Sequence, residues 1–368
     1  MPILLEEQLN YPLPQMHRVR QSFSRPRLED IEAHIKQEIT KKEISEKIKP
    51  GAKVAVAVGS RGIKNLAKIV KEVIGQIKEL GGEPFIISAM GSHGGGTPEG
   101  QREVLASYGI TEENIGVEIV TSVDVVRLGR TSGGIDVYFD SAALGADLIV
   151  PINRVKLHTD FVGDIQSGVC KMLVIGLGNH KGCSAVHEEA PEVFADAIEE
   201  TARLILQKAP VGFGIAILEN AYDKTYAVEA VPAEHLVERE KELVQIAKGN
   251  MPYIMLDEAD VIVCGAIGKD ISGAGFDPNI LGRSSVLKQF VLHIPRYQRL
   301  VLCDVTPASH GNGIGVGLFD VITKKVAEQL DLESMYANAI ACNCLGDASV
   351  PCTVDDEETA IRVALKCC

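Results

Sequence analysis

The sequence predicts an α/β protein of two domains, each with a mainly parallel or mixed sheet flanked by helices, and a cleft between the domains. Three observations carry this. At 368 residues the chain exceeds what one core usually encloses. Short β-branched runs ending in glycine alternate with helical stripes, an order that implies right-handed crossovers and parallel strands. The alternation pauses at the polar stretch Gly249–Tyr253 (GNMPY) and then begins again. The domains are therefore drawn at 1–250 and 254–350, with a last helix at 355–368 returning to the first.

In order along the chain, Lys53–Gly59 (KVAVAVG) reads as a buried strand. Ile63–Leu80 follows with an apolar stripe of Ile63, Leu66, Ile69, Val70, Val73, Ile74, Ile77 and Leu80, which is helical spacing. Pro84–Ser88 is a second strand. Thr97–Ser107 is a helix with Thr97 as its N-cap and Pro98 at its first position. Asp147–Asn153 is a strand, and 154–187 is a Gly-, Lys- and His-rich stretch of weak periodicity. A helix at Pro191–Gln207, a strand at Val211–Glu219 and a helix at Ala233–Lys248 complete the first domain. The second holds strands at Ala259–Gly265 and Leu300–Asp304 and a helix at Phe319–Gln329, and Asp355–Lys366 is amphipathic.

Composition excludes several function classes. The formal charge of −13 argues against a general nucleic-acid binder, which needs a basic surface. The first residues lack the basic and apolar segments of a signal peptide, and no apolar run is long enough to span a membrane. Nine irregularly spaced cysteines suit reduced thiols, so a cytoplasmic protein is expected. Cys342, Cys344 and Cys352 lack C-x-x-C spacing and read as thiols in a buried strand and turn. His17, His34 and His235 read as solvent-facing, and His293 as core or strand edge.

In open α/β sheets ligands bind beyond the carboxyl ends of strands. Three places qualify. Arg61 follows the first strand, and its planar fork suits a carboxylate. Gly91–Thr97 (GSHGGGT) joins the second strand to its helix, where glycine amides and a helix N-terminus favour an anion, and His93 stands at its mouth. The third is 154–187, which holds His158, Lys171, His180, Lys181 and His187. Such a cluster beside glycines points to a metal or a phosphorylated cofactor. The apolar Met172–Ile175 directly after Lys171 should anchor that lysine in the interior.

Together these segments resemble the lactate racemase family from about Arg61 to His187. The carrying features are the pair Ser60-Arg61 after a strand, Gly91-Ser92-His93 followed by Thr97 and Glu99, then His158, and Lys171 sixteen positions before His187. The resemblance implies an isomerase, a racemase or epimerase of a 2-hydroxy acid or sugar acid, using a nickel-pincer nucleotide. It implies Lys171 as the covalent tether, His187 as the nickel ligand, His93 and His158 as the two acid/base groups, and Arg61 as the grip on substrate. Ser60, Gly94, Gly95, Thr97, His180 and Lys181 are then candidate cofactor contacts. The implied chemistry suits the residues. The hydrogen on a hydroxyl-bearing carbon is poorly acidic, so it must leave as hydride while an imidazole takes the hydroxyl proton.

The match also departs from the family. The Asp that precedes the first pair in the family is replaced here by the stretch Val58-Gly59. In the second domain Gly268-Lys269-Asp270-Ile271 resembles a family turn, but the Gln and Lys that usually follow are absent. The chain reads SGAGFDPNILGR instead, which makes Phe276, Asp277, Asn279 and Arg283 candidate substrate contacts and a polyhydroxylated acid a candidate substrate. Cofactor-synthesis proteins are expected partners. Two other classes fit the same residues: a zinc hydrolase or lyase built on His93, His158 and His187, and a non-catalytic binder of a small anion.

Overall fold

The computed structural model describes residues 10–60 and 62–368, which form two compact units: 23–251, and 252–368 together with 10–22. In the first unit the strands are β1 (Lys53–Val58), β2 (Glu83–Ser88), β3 (Ile119–Val120), β4 (Val125–Arg130), β5 (Asp136–Asp140), β6 (Leu148–Arg154), β7 (Phe213–Glu219) and β8 (Thr225–Pro232). Six of them make one sheet in the order β3-β2-β1-β6-β7-β8, parallel except for β8, while β4 and β5 form a separate antiparallel ribbon. The helices that matter for the site and its support are α1 (Ile31–Thr40), α2 (Leu66–Glu79), α3 (Pro98–Ser107), α4 (Val169–Lys171), α5 (Asn179–His187), α6 (Phe194–Lys208) and α7 (Leu236–Asn250).

Alternation along the central strands sends two sets of side chains to two faces. Val54, Val56 and Val58 share one face with Val150, Ile152, Ile215 and Ile217, and pack against Ile35 and Ile39 of α1 and Ile69 and Val73 of α2. The buried side of α2 is the stripe read from the sequence, but the helix begins at Leu66, because Asn65 takes a left-handed φ of 62°. On the other face β7 carries Gly214, where an added Cβ would lie 2.7 Å from Val169 and 3.1 Å from Leu236. The small residue lets α4 and α7 sit close to the sheet.

The stretch 154–187, of weak periodicity in sequence, is largely helical. After β6 and a closed loop it becomes α4, a π-helical turn at Met172–Gly176, and α5. The π turn has a longer period than an α-helix, which erases the 3.6-residue stripe.

The second unit has four parallel strands, β9 (Glu258–Cys264), β10 (Arg296–Leu302), β11 (Val321–Thr323) and β12 (Cys352–Val354), in the order β12-β11-β10-β9. Its longer helices are α8 (Lys324–Gln329), α9 (Leu332–Ala341) and α10 (Glu357–Lys366). The helix expected over Phe319–Gln329 is thus half strand: the β-branched Val321, Ile322 and Thr323 pair with β10 and β12, and the Thr323 hydroxyl then caps α8. The last helix was expected to return to the first domain. Instead Ala360 and Ala364 of α10 pack on Val301, Cys303, Val321 and Val354 of their own sheet. Residues 10–22 also belong here, with Arg362 donating to the Tyr11 carbonyl and the Met255 N–H donating to Gln21 at 2.6 Å. His34, read as solvent-facing, is half-buried against the Val228 carbonyl at 2.8 Å, and His293 is exposed rather than in the core.

Candidate active site

The strand order reverses between β1 and β6, and chains leaving such a pair diverge to open a crevice at the carboxyl edge. Ser60 leaves β1 there, His93 follows β2, and the loop of His158 follows β6. That last loop is closed at its neck by two backbone hydrogen bonds between Lys156 and Ser167, of 2.9 and 3.2 Å. The buried Gln166 holds its interior, accepting from the His158 N–H at 2.8 Å and donating to the Gly163 carbonyl at 3.1 Å.

The His158 ring is fixed from several sides. Its Nδ1 accepts the Asp160 N–H at 3.0 Å, its Nε2 is hydrogen-bonded to the Lys171 amine, and its face stacks on Phe161 at 4.2 Å between centroids. Phe161 touches Phe194 at 4.8 Å, and Phe194 touches His187 at 4.9 Å, so three ring contacts join the two histidines. The Lys171 amine lies 5.6 Å from the Phe161 centroid. Met172, Leu173 and Val174 are buried directly behind it, the anchoring the sequence suggested, and Lys171 itself is half-buried. His187 is exposed at the end of α5. Crowding by protein, and after it the Lys171 charge, lower its pKa, while Asp160 opposes the shift, so the neutral imidazole that a metal needs is favoured.

His93 forms a second group. Its Nδ1 is hydrogen-bonded to Ser60 Oγ, and the Tyr108 hydroxyl donates to the Ser60 carbonyl at 2.8 Å. The loop carrying His93 is tied from below by Ser88 and Gln101, both fully buried, at 2.6 Å, and by Gln101 donating to the Gly91 carbonyl at 3.3 Å. The Gly91 N–H donates to the Gly176 carbonyl at 3.1 Å, which joins this loop to the π turn after Lys171.

Several expected contacts take other positions. Ser60 serves His93 rather than pointing freely to a ligand. Gly94 is needed where the loop meets its own helix: at a φ of 66°, an added Cβ would sit 2.6 Å from backbone atoms of Gly100 and Gln101. Gly95 has open space around it. The Thr97 hydroxyl caps α3 by accepting from the Gly100 N–H at 3.1 Å, so that helix end already has an acceptor. Lys181 lies over Tyr138 of the ribbon at 4.4 Å, and His180 is exposed. Arg61 lies outside the described residues.

In the second unit the four candidate substrate contacts hold the unit together. Phe276 is buried edge-on against Phe319 at 5.6 Å. Asp277 caps a short helical turn by accepting from the Asn279 N–H at 2.9 Å, and Asn279 is fully buried. Arg283 pairs with Asp320 at 2.7 Å and donates to the Leu318 carbonyl at 2.9 Å. An aromatic ring and a bidentate cation look alike in sequence whether they meet a ligand or a core. None of the nine cysteines is joined in a disulfide; Cys344 is buried, while Cys342 and Cys352 are exposed. Among the described residues no three His, Cys, Asp or Glu side chains gather as a metal site, so the three-histidine zinc arrangement is not formed.

Sequence reading missed Phe161, Phe194, Gln166 and Glu240. The two phenylalanines had a signal, since aromatics are rare in this chain and both fall in or beside the His-rich stretch. Gln166 and Glu240 had none, because a buried side chain that accepts backbone N–H groups, whether in the same loop or on a distant helix, leaves no pattern in sequence.

The parallel sheet with an amine and imidazoles at its carboxyl edge defines an α/β protein with reactive side chains gathered at that edge. The lactate racemase N-terminal domain model matches residues 10–196, just over half of the chain, and the chain belongs to that family. The structure is similar to the lactate racemase apoprotein from Thermoanaerobacterium thermosaccharolyticum, with a TM-score of 0.52 at 13% identity over 93% of this chain and 85% of that one. No curated protein matches the sequence. No helix among the described residues is long and apolar enough to cross a membrane.

Proposed function

We propose that this protein is a cytoplasmic racemase or epimerase that inverts a hydroxyl-bearing carbon of a 2-hydroxy acid or sugar acid with a lysine-tethered nickel-pincer nucleotide. The observation that carries the reading is the meeting of the Lys171 amine with His158, one ring ladder away from His187. This donor set fits the group: a half-buried primary amine for attachment, and an accessible imidazole whose charged form is disfavoured for the metal. Lys171 would hold the nucleotide and His187 the nickel. When bound, the group supplies an electrophilic ring able to take and return a hydride.

The chain's own residues handle the proton and the substrate. His93 has its Nδ1 engaged by Ser60, so Nε2 is its working atom. His158 is held at both ring nitrogens, by the Asp160 N–H and by the Lys171 amine, and its Nε2 would serve the proton only once that amine holds the nucleotide. Two bases suit inversion, because each enantiomer presents its hydroxyl from a different direction. Arg61, next to Ser60, is the grip for the substrate carboxylate. Cofactor-synthesis proteins are the partners this reading requires.

The test is chiral chromatography of single-enantiomer 2-hydroxy acids and aldonic acids after incubation with protein produced alongside cofactor-synthesis proteins. Inversion at one hydroxyl carbon, with elemental composition unchanged, is the expected result. Hydrolytic or elimination products that depend on zinc, or binding without turnover across the panel, would overturn the proposal.

A further inference from the structure

Glu240 lies on α7, far from Lys171 in sequence, and is almost wholly enclosed, at 1% exposure. Its carboxylate accepts the Val169 N–H at 2.6 Å and the Cys170 N–H at 3.0 Å, the first two donors of the helix that ends in Lys171. Such donors have no partner within their own helix. The carboxylate fills the place of a side chain at position 168: a Cβ added to Gly168 would sit 2.4 Å from Glu240 Oε1. Gly168 is also pinned from the sheet, its carbonyl accepting from Asn153 at 2.7 Å. The buried acid thus clamps one short turn, and the next side chain on that turn is the amine that meets His158.

We infer that Glu240 is a positioning residue, whose enclosed carboxylate holds the 168–170 turn so that the Lys171 amine is directed at His158 and away from solvent. The inference rests on the reading of Lys171 as the tether. The turn opens a helical segment that passes directly into the π turn at Met172, and the leading N–H groups of such a segment have no acceptor within it. Without the clamp its two leading N–H groups are left without acceptors, and the turn must shift to find them. A shift of about 1 Å is enough to misplace a reacting group.

The experiment uses the full-length protein without cofactor and an amine-reactive acetylating ester, with peptide mass mapping of Lys171 against the exposed Lys181. In Glu240→Gln the labelling of Lys171 relative to Lys181 is expected to rise about fivefold or more, and in Glu240→Asp by less. His158→Gln should raise Lys171 labelling in the parent protein but add little in the Glu240→Gln background. A residue that merely supports the fold would not produce that dependence. Unchanged Lys171 labelling in both folded Glu240 variants would overturn the inference. Should neither variant fold, hydrogen exchange of the parent decides: the 169 and 170 amides must exchange as slowly as those of β7, and loop-like exchange would refute the clamp. None of these readouts needs the cofactor. Failure of the tether reading would appear separately, as an unmodified Lys171 in active protein.

Discussion

The two units use the same architecture differently. Both place loops beyond the carboxyl edge of a parallel sheet, where ligands bind in such folds. In the unit of residues 23–251 those loops hold reactive side chains against one another: Ser60 with His93, and Lys171 with His158. In the unit built from 252–368 the side chains that looked most like substrate contacts are tied into the core, a cap and an ion pair. Residue type at a strand end is therefore a weak guide. What differs between the two units is whether the polar atoms find their partners in other reactive groups or in backbone carbonyls and counter-ions.

The sharpest way to break this contrast is to remove the amine. Lys171→Ala in protein made with the cofactor-synthesis proteins should lower turnover by about a thousandfold or more, as for a group acting as part of the chemical unit. Steady-state kinetics on an inverted substrate checks it. His93→Gln or His158→Gln should each cost about 10²- to 10⁴-fold in kcat, the range for loss of one positioned acid or base. A single-turnover assay separates that loss from binding.

The second unit should respond in stability instead. Phe276→Ala removes a buried ring and should destabilise by about 3–5 kcal/mol. Denaturant unfolding followed by a probe in residues 252–368 reads this, with kcat per folded molecule unchanged. A large loss of kcat in fully folded protein would return Phe276 to the site.

Glu240 sharpens the comparison through pH. Burial pushes its carboxyl from 4.5 up to about 7, despite the N–H donors that favour its charged form. The neighbouring Cys170 thiol is pushed further upward, chiefly by burial and then by Glu240 itself, so it does not titrate in this range. A group whose pKa is higher folded than unfolded contributes stability that is full below the unfolded value and disappears as pH rises through the folded one. Relative to Glu240→Gln, the parent should therefore lose about 3 kcal/mol of stability between pH of about 4 and about 8. Unfolding curves of the two proteins at matched pH measure it. The smallest expected effect is at His187. Replacing Lys171 by Gln removes one of the two causes that lower its pKa, so its NMR titration midpoint in the cofactor-free protein should move upward.

Much of this architecture could be read from the chain. β1 and α2 were legible because a KVAVAV run and a stripe from Leu66 to Ile77 each have one clear period. The β4–β5 ribbon was not, since a register shift between Arg127 and Gly129 interrupts its alternation. Spacing and resemblance singled out Lys171, His158 and His187 as candidates, and the fold brings the Lys171 amine against His158. The clamp by Glu240 was invisible, because it joins residues some seventy positions apart through a single buried carboxylate.

The central claim is that Lys171 carries the organic group on which the reaction depends, and peptide mass mapping tests it directly. Protein produced with the cofactor-synthesis proteins and active on a hydroxy acid should yield a Lys171 peptide of increased mass, with nickel present in proportion to the modified fraction. An unmodified Lys171 peptide from fully active protein would contradict the account.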